Sequence, residues 1–251
     1  MTSLFVADVG NSRIKCGHYD GHTLRALTIL DSAVVPNLEY WCETYLLDAS
    51  AAKRSPWAIC GVSPKLRDQF RAGLERLGFE VELIDDFRQV PLAIAVPNPE
   101  RVGIDRLLSA WAIAQRLSQG RSAVVISVGT AVTVDLVDAA GTFHGGVIWP
   151  GFRLMARALH EHTALLPLVE QFDSTPAIPA KTTAAAISAG ISAAIAGGID
   201  RVVEQYRRQH ESLSAYITGG DAGLLADLAC RPEPVENLVL LGLALVVADR
   251  I

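Results

Sequence analysis

Two short stretches decide how this chain folds: Asp8-Val9-Gly10-Asn11-Ser12-Arg13-Ile14-Lys15, and Ser127-Val128-Gly129-Thr130-Ala131. Each sets a small polar residue and a glycine-polar pair between two apolar runs. In the first the runs are Leu4 to Ala7 and Ile14 to Cys16; in the second they are Ala123 to Val128 and Ala131 to Val137. Short apolar runs cornered by Gly with Asn or Thr read as strands joined by tight turns. Finding the pattern twice points to duplication of one strand-turn-strand module.

Working outward, Leu24 to Leu30 extends the first pair into a meander, and Leu38 to Leu47 carries apolar residues at mixed helical spacing. Trp57 to Val62 reads as a strand. Ser63 then offers an N-cap with Pro64 at the first helical position, for a helix to about Leu77. A strand from Phe79 to Ile84 follows, and Pro91, Pro97 and Pro99 keep Val90 to Pro99 extended ahead of a helix from about Gly103 to Leu117. The second half continues with a strand from Phe143 to Ile148 and helices over about Phe152 to His162, Thr182 to Arg208 and Asn237 to Ala248. A short strand, Ala215 to Thr218, ends in Gly219-Gly220-Asp221. Strands first and helices after, in each half, predict an α/β fold of two lobes facing across a cleft, residues 1–119 and 120–251, with the last helix free to pack back on the first lobe.

Composition narrows the function classes. The 251 residues are 50% hydrophobic and 20% charged with a net charge of −5, which supplies a core and excludes a disordered chain. No run of Lys and Arg suits a nucleic-acid backbone, so no nucleic-acid partner is expected. The apolar start is short and lacks a basic leader, and Thr182 to Ile199 is built of Ala, Ser, Thr and Gly with little Leu, Ile or Phe. A cytoplasmic protein without a membrane partner is expected. Cys16, Cys42, Cys60 and Cys230 form no Cys-x-x-Cys pair and read as reduced core thiols.

The first stretch also carries chemistry. A carboxylate at a strand end, followed by Gly and small polar residues, offers free backbone N–H groups to a polyphosphate. Asp8 suits magnesium held through water, and Lys15 a phosphate oxygen; a plain hairpin with Asp8 at the strand end stays the alternative. The turn at Gly129-Thr130-Ala131 would close on the same phosphates, and Gly219-Gly220-Asp221 offers a third set of N–H groups to phosphates or ribose. In Gly103-Ile104-Asp105-Arg106 the acid and the cation point about 100° apart on a helix. Asp105 is then available to take a proton from a hydroxyl and Arg106 to grip an anion, unless they only favour the helix dipole and solvent. Gly145 to Gly151 reads as a wall of the cleft. His160-Glu161-His162 lacks the spacing of paired helical ligands, so no metal is assigned there. No Gly-x-Ser-x-Gly elbow or P-loop is present.

Asp8 to Lys15, Pro99 to Arg106, Gly129 to Asp135, Gly145 to Pro167, Thr182 to Gly190 and Thr218 to Asp221 together resemble the type III pantothenate kinases, in the family's order along nearly the whole chain. The resemblance implies two ribonuclease-H-like lobes of the acetate and sugar kinase, Hsp70 and actin superfamily, and a homodimer with substrate sites at the subunit interface. It implies ATP-dependent phosphorylation of the primary hydroxyl of pantothenate, the first step toward coenzyme A, with Mg2+. By position, Asp8, Val9, Gly10, Asn11, Ser12, Arg13, Ile14 and Lys15 would form the first phosphate loop, and Thr130 would contact ATP in the second. Gly103, Ile104, Asp105 and Arg106 would bind pantothenate, with Asp105 as base and Arg106 near the carboxylate. Thr182 would reach pantothenate from the partner subunit.

Two positions depart from the family pattern. Ser127 stands where the family commonly has an Asp that coordinates a monovalent cation, K+ or NH4+, and a neutral hydroxyl is a weaker ligand. Val96 stands where an aromatic residue commonly lines the pantothenate pocket. These departures keep two other functions open at the level of sequence: a kinase of another small hydroxy acid, and a non-catalytic nucleotide-binding paralogue with a regulatory or accessory role.

Overall fold

The structure, a computed structural model, describes residues 3–10, 13–31, 42, 55–118, 120–210 and 212–250. The opening meander forms as β1 (Leu4–Val9), β2 (Arg13–Tyr19) and β3 (Leu24–Asp31), each antiparallel to the next. β4 (Trp57–Gly61) joins parallel to β1, and β5 (Val81–Leu83) parallel to β4, giving the order β3-β2-β1-β4-β5. Between β4 and β5 runs α1 (Pro64–Arg76), with Pro64 in its first turn. Ser63 sits at the cap position but makes no side-chain cap bond.

The second sheet repeats this plan strand for strand. β6 (Ser122–Val128), β7 (Ala131–Val137) and β8 (Phe143–Pro150) form the antiparallel meander; β9 (Leu213–Thr218) and β10 (Glu233–Pro234) add in parallel, in the order β10-β9-β6-β7-β8. Two helices, α3 (Phe152–Glu161) and α4 (Thr183–Arg207), lie between β8 and β9 in the chain. Inward-facing Val124, Ile126 and Val128 of β6 meet Ile187, Ile191, Ile195, Ile199 and Val203 of α4 in one core, with Phe152 and Ala156 of α3. The four-residue spacing along α4 puts those side chains on one stripe. Burying each stabilises the fold by about 1.5–3 kcal/mol before entropy is counted. By length and composition α4 is apolar enough to cross a membrane, but this stripe is the core of the second unit.

β1 is buried on both faces. Phe5, Ala7 and Val9 share a core with Phe70 and Leu74 of α1, so Leu4 and Val6 face the other way. That second face is covered by α5 (Leu238–Ala248), which also packs on α2 (Ile104–Ala112). A methyl group at Gly242 of α5 would run into the carbonyl oxygen of Leu108 in α2, so glycine permits this close helix crossing. α5 is apolar on all sides, and only a position covered on all sides suits it.

Contacts accordingly divide the chain into a first unit, residues 1–112 with 237–251, and a second, residues 113–236. This differs from a division at 119/120: the last helix belongs to the first unit. The boundary falls where α2 gives way to a π-helical turn, Ile113–Leu117, in the stretch expected to be one helix to Leu117. β5 is shorter than Phe79 to Ile84. The expectation for Leu38 to Leu47 lies, apart from Cys42, outside the described residues.

Candidate active site

In the first unit the corner after β1 is closed by the Gly10 N–H, which donates to the Arg13 carbonyl at 3.0 Å. Asp8 pairs across the hairpin with Lys15 and, on its other side, with Cys60 of β4. Val9 and Ile14 are fully buried, so they can offer a ligand only backbone groups; Arg13 is exposed and Lys15 half-buried. Asn11 and Ser12 lie outside the described residues.

Asp105 comes to the same place from a distant part of the chain. It stands in the first turn of α2, after the Pro99–Arg101 turn, and is close enough to act on Asp8 electrostatically. Burial pushes the Asp8 carboxyl up to about 6; the charge of Asp105 adds to the rise and Lys15 opposes it. The Cys60 thiol donates weakly to Asp8 Oδ1 at 4.0 Å, and burial beside these carboxylates holds that thiol well above its usual range. The Asp105 carboxylate folds back over Gly103, where an added Cβ would stand 2.5 Å from Oδ1. Glycine is therefore what lets the acid take this position. Ile104 is buried and offers no side chain to a substrate, while Arg106 and Val96 are half-buried.

In the second unit the corner after β6 holds Gly129, half-buried, and Thr130, exposed. Ser127 is flanked by Thr133 of β7 and Thr218 of β9, three hydroxyl residues in one cross-strand row with no carboxylate among them. Two further turns back onto this corner. The Gly151 N–H donates to the Thr130 carbonyl at 2.9 Å, and the Asp221 N–H to the Val128 carbonyl at 3.1 Å. A methyl group at Gly151 or at Gly219 would collide with the carbonyl oxygens of Gly129 or Val128, and Gly219 has φ +107°. Two of the expected glycine turns thus converge within this unit, with the Gly145–Gly151 segment beside them. A cleft of about 620 Å3 lies past Gly223, walled by Phe172, Leu224 and the first turns of α4, where the buried Ser188 Oγ has no partner among the described residues. Thr182 caps α4: its hydroxyl accepts from the Ala185 N–H at 3.2 Å, and the residue is exposed.

Three residues escaped the sequence reading. Cys60 and Gly61 stand to Asp8 and Val9 as Thr218 and Gly219 stand to Ser127 and Val128, and a methyl at Gly61 would strike the Val9 carbonyl. A glycine ending an otherwise buried strand is the signal that could have found it. Arg153, in the first turn of α3, is paired with Asp221. Among the described residues no cluster of three or more His, Cys, Asp or Glu could hold a metal.

The sequence profile of the type III pantothenate kinases matches residues 4–205. A type III pantothenate kinase of Methylacidiphilum infernorum is 32% identical over 249 residues, covering 95% of this chain and 85% of that protein. Among solved structures, a Baf family protein of Campylobacter jejuni titled a transcriptional activator aligns with TM-score 0.63 at 18% identity, covering 98% of each chain. A ROK hexokinase of Thermus thermophilus aligns with TM-score 0.52 at 15% identity, again covering 98% of each. These two likenesses speak for the fold alone, that of the acetate and sugar kinase, Hsp70 and actin superfamily. The relatives favour neither a non-catalytic paralogue nor a kinase of a different acid. A profile that spans most of the chain, and a relative matched nearly end to end, show that this protein belongs to the type III pantothenate kinase family, ATP-dependent kinases of pantothenate at the entry to coenzyme A biosynthesis.

Proposed function

We propose that the transfer of a phosphoryl group from ATP to the primary hydroxyl of pantothenate is carried out by Asp105 as base, with the corner Asp8 to Lys15 and the corner at Gly129-Thr130 each holding phosphate oxygens. The observation that carries this reading is the approach of Asp105 to Asp8 in the first unit, two acids from distant segments at one strand end. Asp105 takes the proton as the hydroxyl oxygen attacks the γ-phosphorus, and ADP leaves. Phosphoryl transfer asks the protein mainly for alignment and neutralisation of charge. The Lys15 ammonium and the exposed Thr130 supply these, and Arg106 grips the pantothenate carboxylate.

Magnesium fits the first corner. A half-buried carboxylate raised to about 6 by burial and a second acid is a place with surplus negative charge. Asp8 would hold the ion through water, and the ion would neutralise phosphate charge. Ser127 and its two hydroxyl neighbours fit a monovalent cation poorly, because the row is neutral; no step is assigned to one. The nucleoside lies on the Gly219 to Asp221 side, toward the cleft past Gly223.

The protein acts as a homodimer in the cytoplasm, where ATP is available. Exposed small residues along α4, from Thr183 through Ala186, Gly190 and Ala193 to Gly197, support a pairing surface, as do exposed Ile148, Leu165 and Ile178. In such a dimer Thr182 reaches the partner's pantothenate.

The test is a coupled assay with pantothenate, ATP and Mg2+. Asp105→Asn should lower kcat by about 100- to 10,000-fold with the KM for ATP little changed. Equal turnover by wild type and variant would remove Asp105 from the role of base. Sedimentation of the same protein reads the oligomeric state.

A further inference from the structure

Arg153 and Asp221 form an ion pair in the second unit that the phosphate-binding account above does not use. Asp221 is buried, 8% exposed, whereas the Arg153 side chain is 57% exposed. Both hydrogen bonds, at 2.8 Å to Oδ1 and 2.8 Å to Oδ2, leave from the same nitrogen, Nη1. The opposite edge of the guanidinium, Nη2 and Nε, has no partner among the described residues.

The backbone fixes where this edge lies. Arg153 follows Gly151, whose N–H is bonded to the carbonyl of Thr130; Asp221 is itself bonded through its N–H to the carbonyl of Val128. These two anchors sit on either side of Gly129, so the ion pair bridges the two turns that flank the phosphate corner. In the segments that build the corner, Ser127 to Ala131, Gly145 to Arg153 and Thr218 to Leu224, Arg153 is the single basic residue. All else they offer an anion is amide, hydroxyl and the indole N–H of Trp149.

A guanidinium pinned through one nitrogen by a buried carboxylate presents its remaining donors in a fixed plane, the arrangement that matches two oxygens of a phosphate. We infer that Arg153 is a phosphate-binding residue for the nucleotide on the second unit, and that Asp221 is the positioning residue that aims it. The inference rests on the kinase reading and deepens it. The first corner brings its cation, Lys15, on the hairpin itself; the second borrows one from the helix packed behind it.

Calorimetry with ADP and with adenosine, together with steady-state kinetics, tests this. Arg153→Met should weaken ADP binding and raise the KM for ATP by about 10- to 100-fold, the worth of a charge-assisted hydrogen bond. The KM for pantothenate and the affinity for adenosine should hold, and the salt dependence of ADP binding should become shallower. Asp221→Asn should raise the KM for ATP by a smaller factor. Should Arg153→Met not fold, Arg153→Lys, which keeps the charge and loses the fork, should still raise the KM for ATP severalfold while leaving that for pantothenate alone. Unchanged ADP affinity and an unchanged KM for ATP in the folded variant, with only a lower Tm, would reduce the pair to a stitch between α3 and the turn. If wild type binds ADP but does not phosphorylate pantothenate, the kinase reading is what fails, and ADP calorimetry on the Arg153 variants still decides the role of the arginine.

Discussion

The corner after β1 and the corner after β6 occupy the same place in two sheets of the same strand order, yet they differ in charge. The first sets Asp8 between Lys15 and Cys60; the second sets Ser127 between Thr133 and Thr218. In both, a glycine on the parallel neighbour, Gly61 or Gly219, lies hard against the strand end. The backing glycine was kept in both copies, as was the glycine N–H that closes each corner on a carbonyl two or three residues on, Gly10 to Arg13 and Gly129 to Ala131. The titratable groups were not: a second acid, Asp105, joins the first corner, whereas the second depends on Arg153. A duplicated scaffold can thus carry corners of like backbone and unlike charge, the first acidic and the second with a cation on a neighbouring helix.

Making the first corner neutral like the second should have the largest effect. Asp8→Asn should lower kcat/KM by about 100-fold or more, as loss of a group that organises transferring phosphates does. The same variant should be more stable without ligands. The folded pKa of Asp8, about 6, stands above the ordinary carboxylate value of 3.8, so between these pH values the native state holds more protons than the unfolded chain, and stability falls as pH rises through that window. Above it the full penalty applies, at most about 3 kcal/mol and less because Asp8 is only half-buried. Thermal melts should therefore show Asp8→Asn gaining a few degrees at pH 8 and almost nothing at pH 4. A gain of equal size at both pH values would deny that ionisation of Asp8 strains the fold.

Gly103→Ala sharpens the contrast next, because it displaces the acid that only the first corner has. Its methyl would meet Asp105 Oδ1, the end of a side chain, so the carboxylate rather than the backbone has to move. We expect kcat to fall by about 10- to 100-fold with Tm nearly unchanged, since a small displacement of a reacting group is costly to the rate. An unaltered kcat would mean that the folded-back position of Asp105 is not the productive one.

The shared device itself is tested by Gly61→Ala and Gly219→Ala. Each puts a methyl into a backbone carbonyl, so neither can relax by turning a side chain, and each should destabilise by about 1–3 kcal/mol in denaturant unfolding. Gly219→Ala should cost the more, because φ +107° adds backbone strain that Gly61 does not carry. The reverse order would show that the two corners are not built alike. Smallest is the effect of restoring a carboxylate to the second corner. Wild type should turn over equally in sodium and potassium salts, and Ser127→Asp should gain a few-fold stimulation by K+.

Much of this architecture was legible in the chain. Strand lengths and corners followed from apolar runs stopped by glycine, because a strand that buries alternate residues and a turn that needs freedom at one position leave local marks. The start of α4 was legible in Thr182, and the acid and cation of α2 in Asp105 and Arg106. Less could be read where partners are distant. Leu238 to Ala248 declares that it is buried but carries no mark of which sheet will bury it, and only Gly242 against Leu108 reveals the neighbour. Arg153 looked like any exposed cation on a helix until Asp221, far along the chain, was found beneath it.

By itself the sequence determined two strand-corner-strand modules, the order of elements around them and the kinds of groups offered at each corner, since turns and strands are set by residues a few positions apart. The tertiary structure alone decided that Asp105 arrives beside Asp8, that Gly61 and Gly219 back the two corners, and that the last helix completes the first unit. Those depend on parallel pairing and helix packing between remote segments. Such contacts are selected by shape and by burial of the whole surface, which no short window of residues contains.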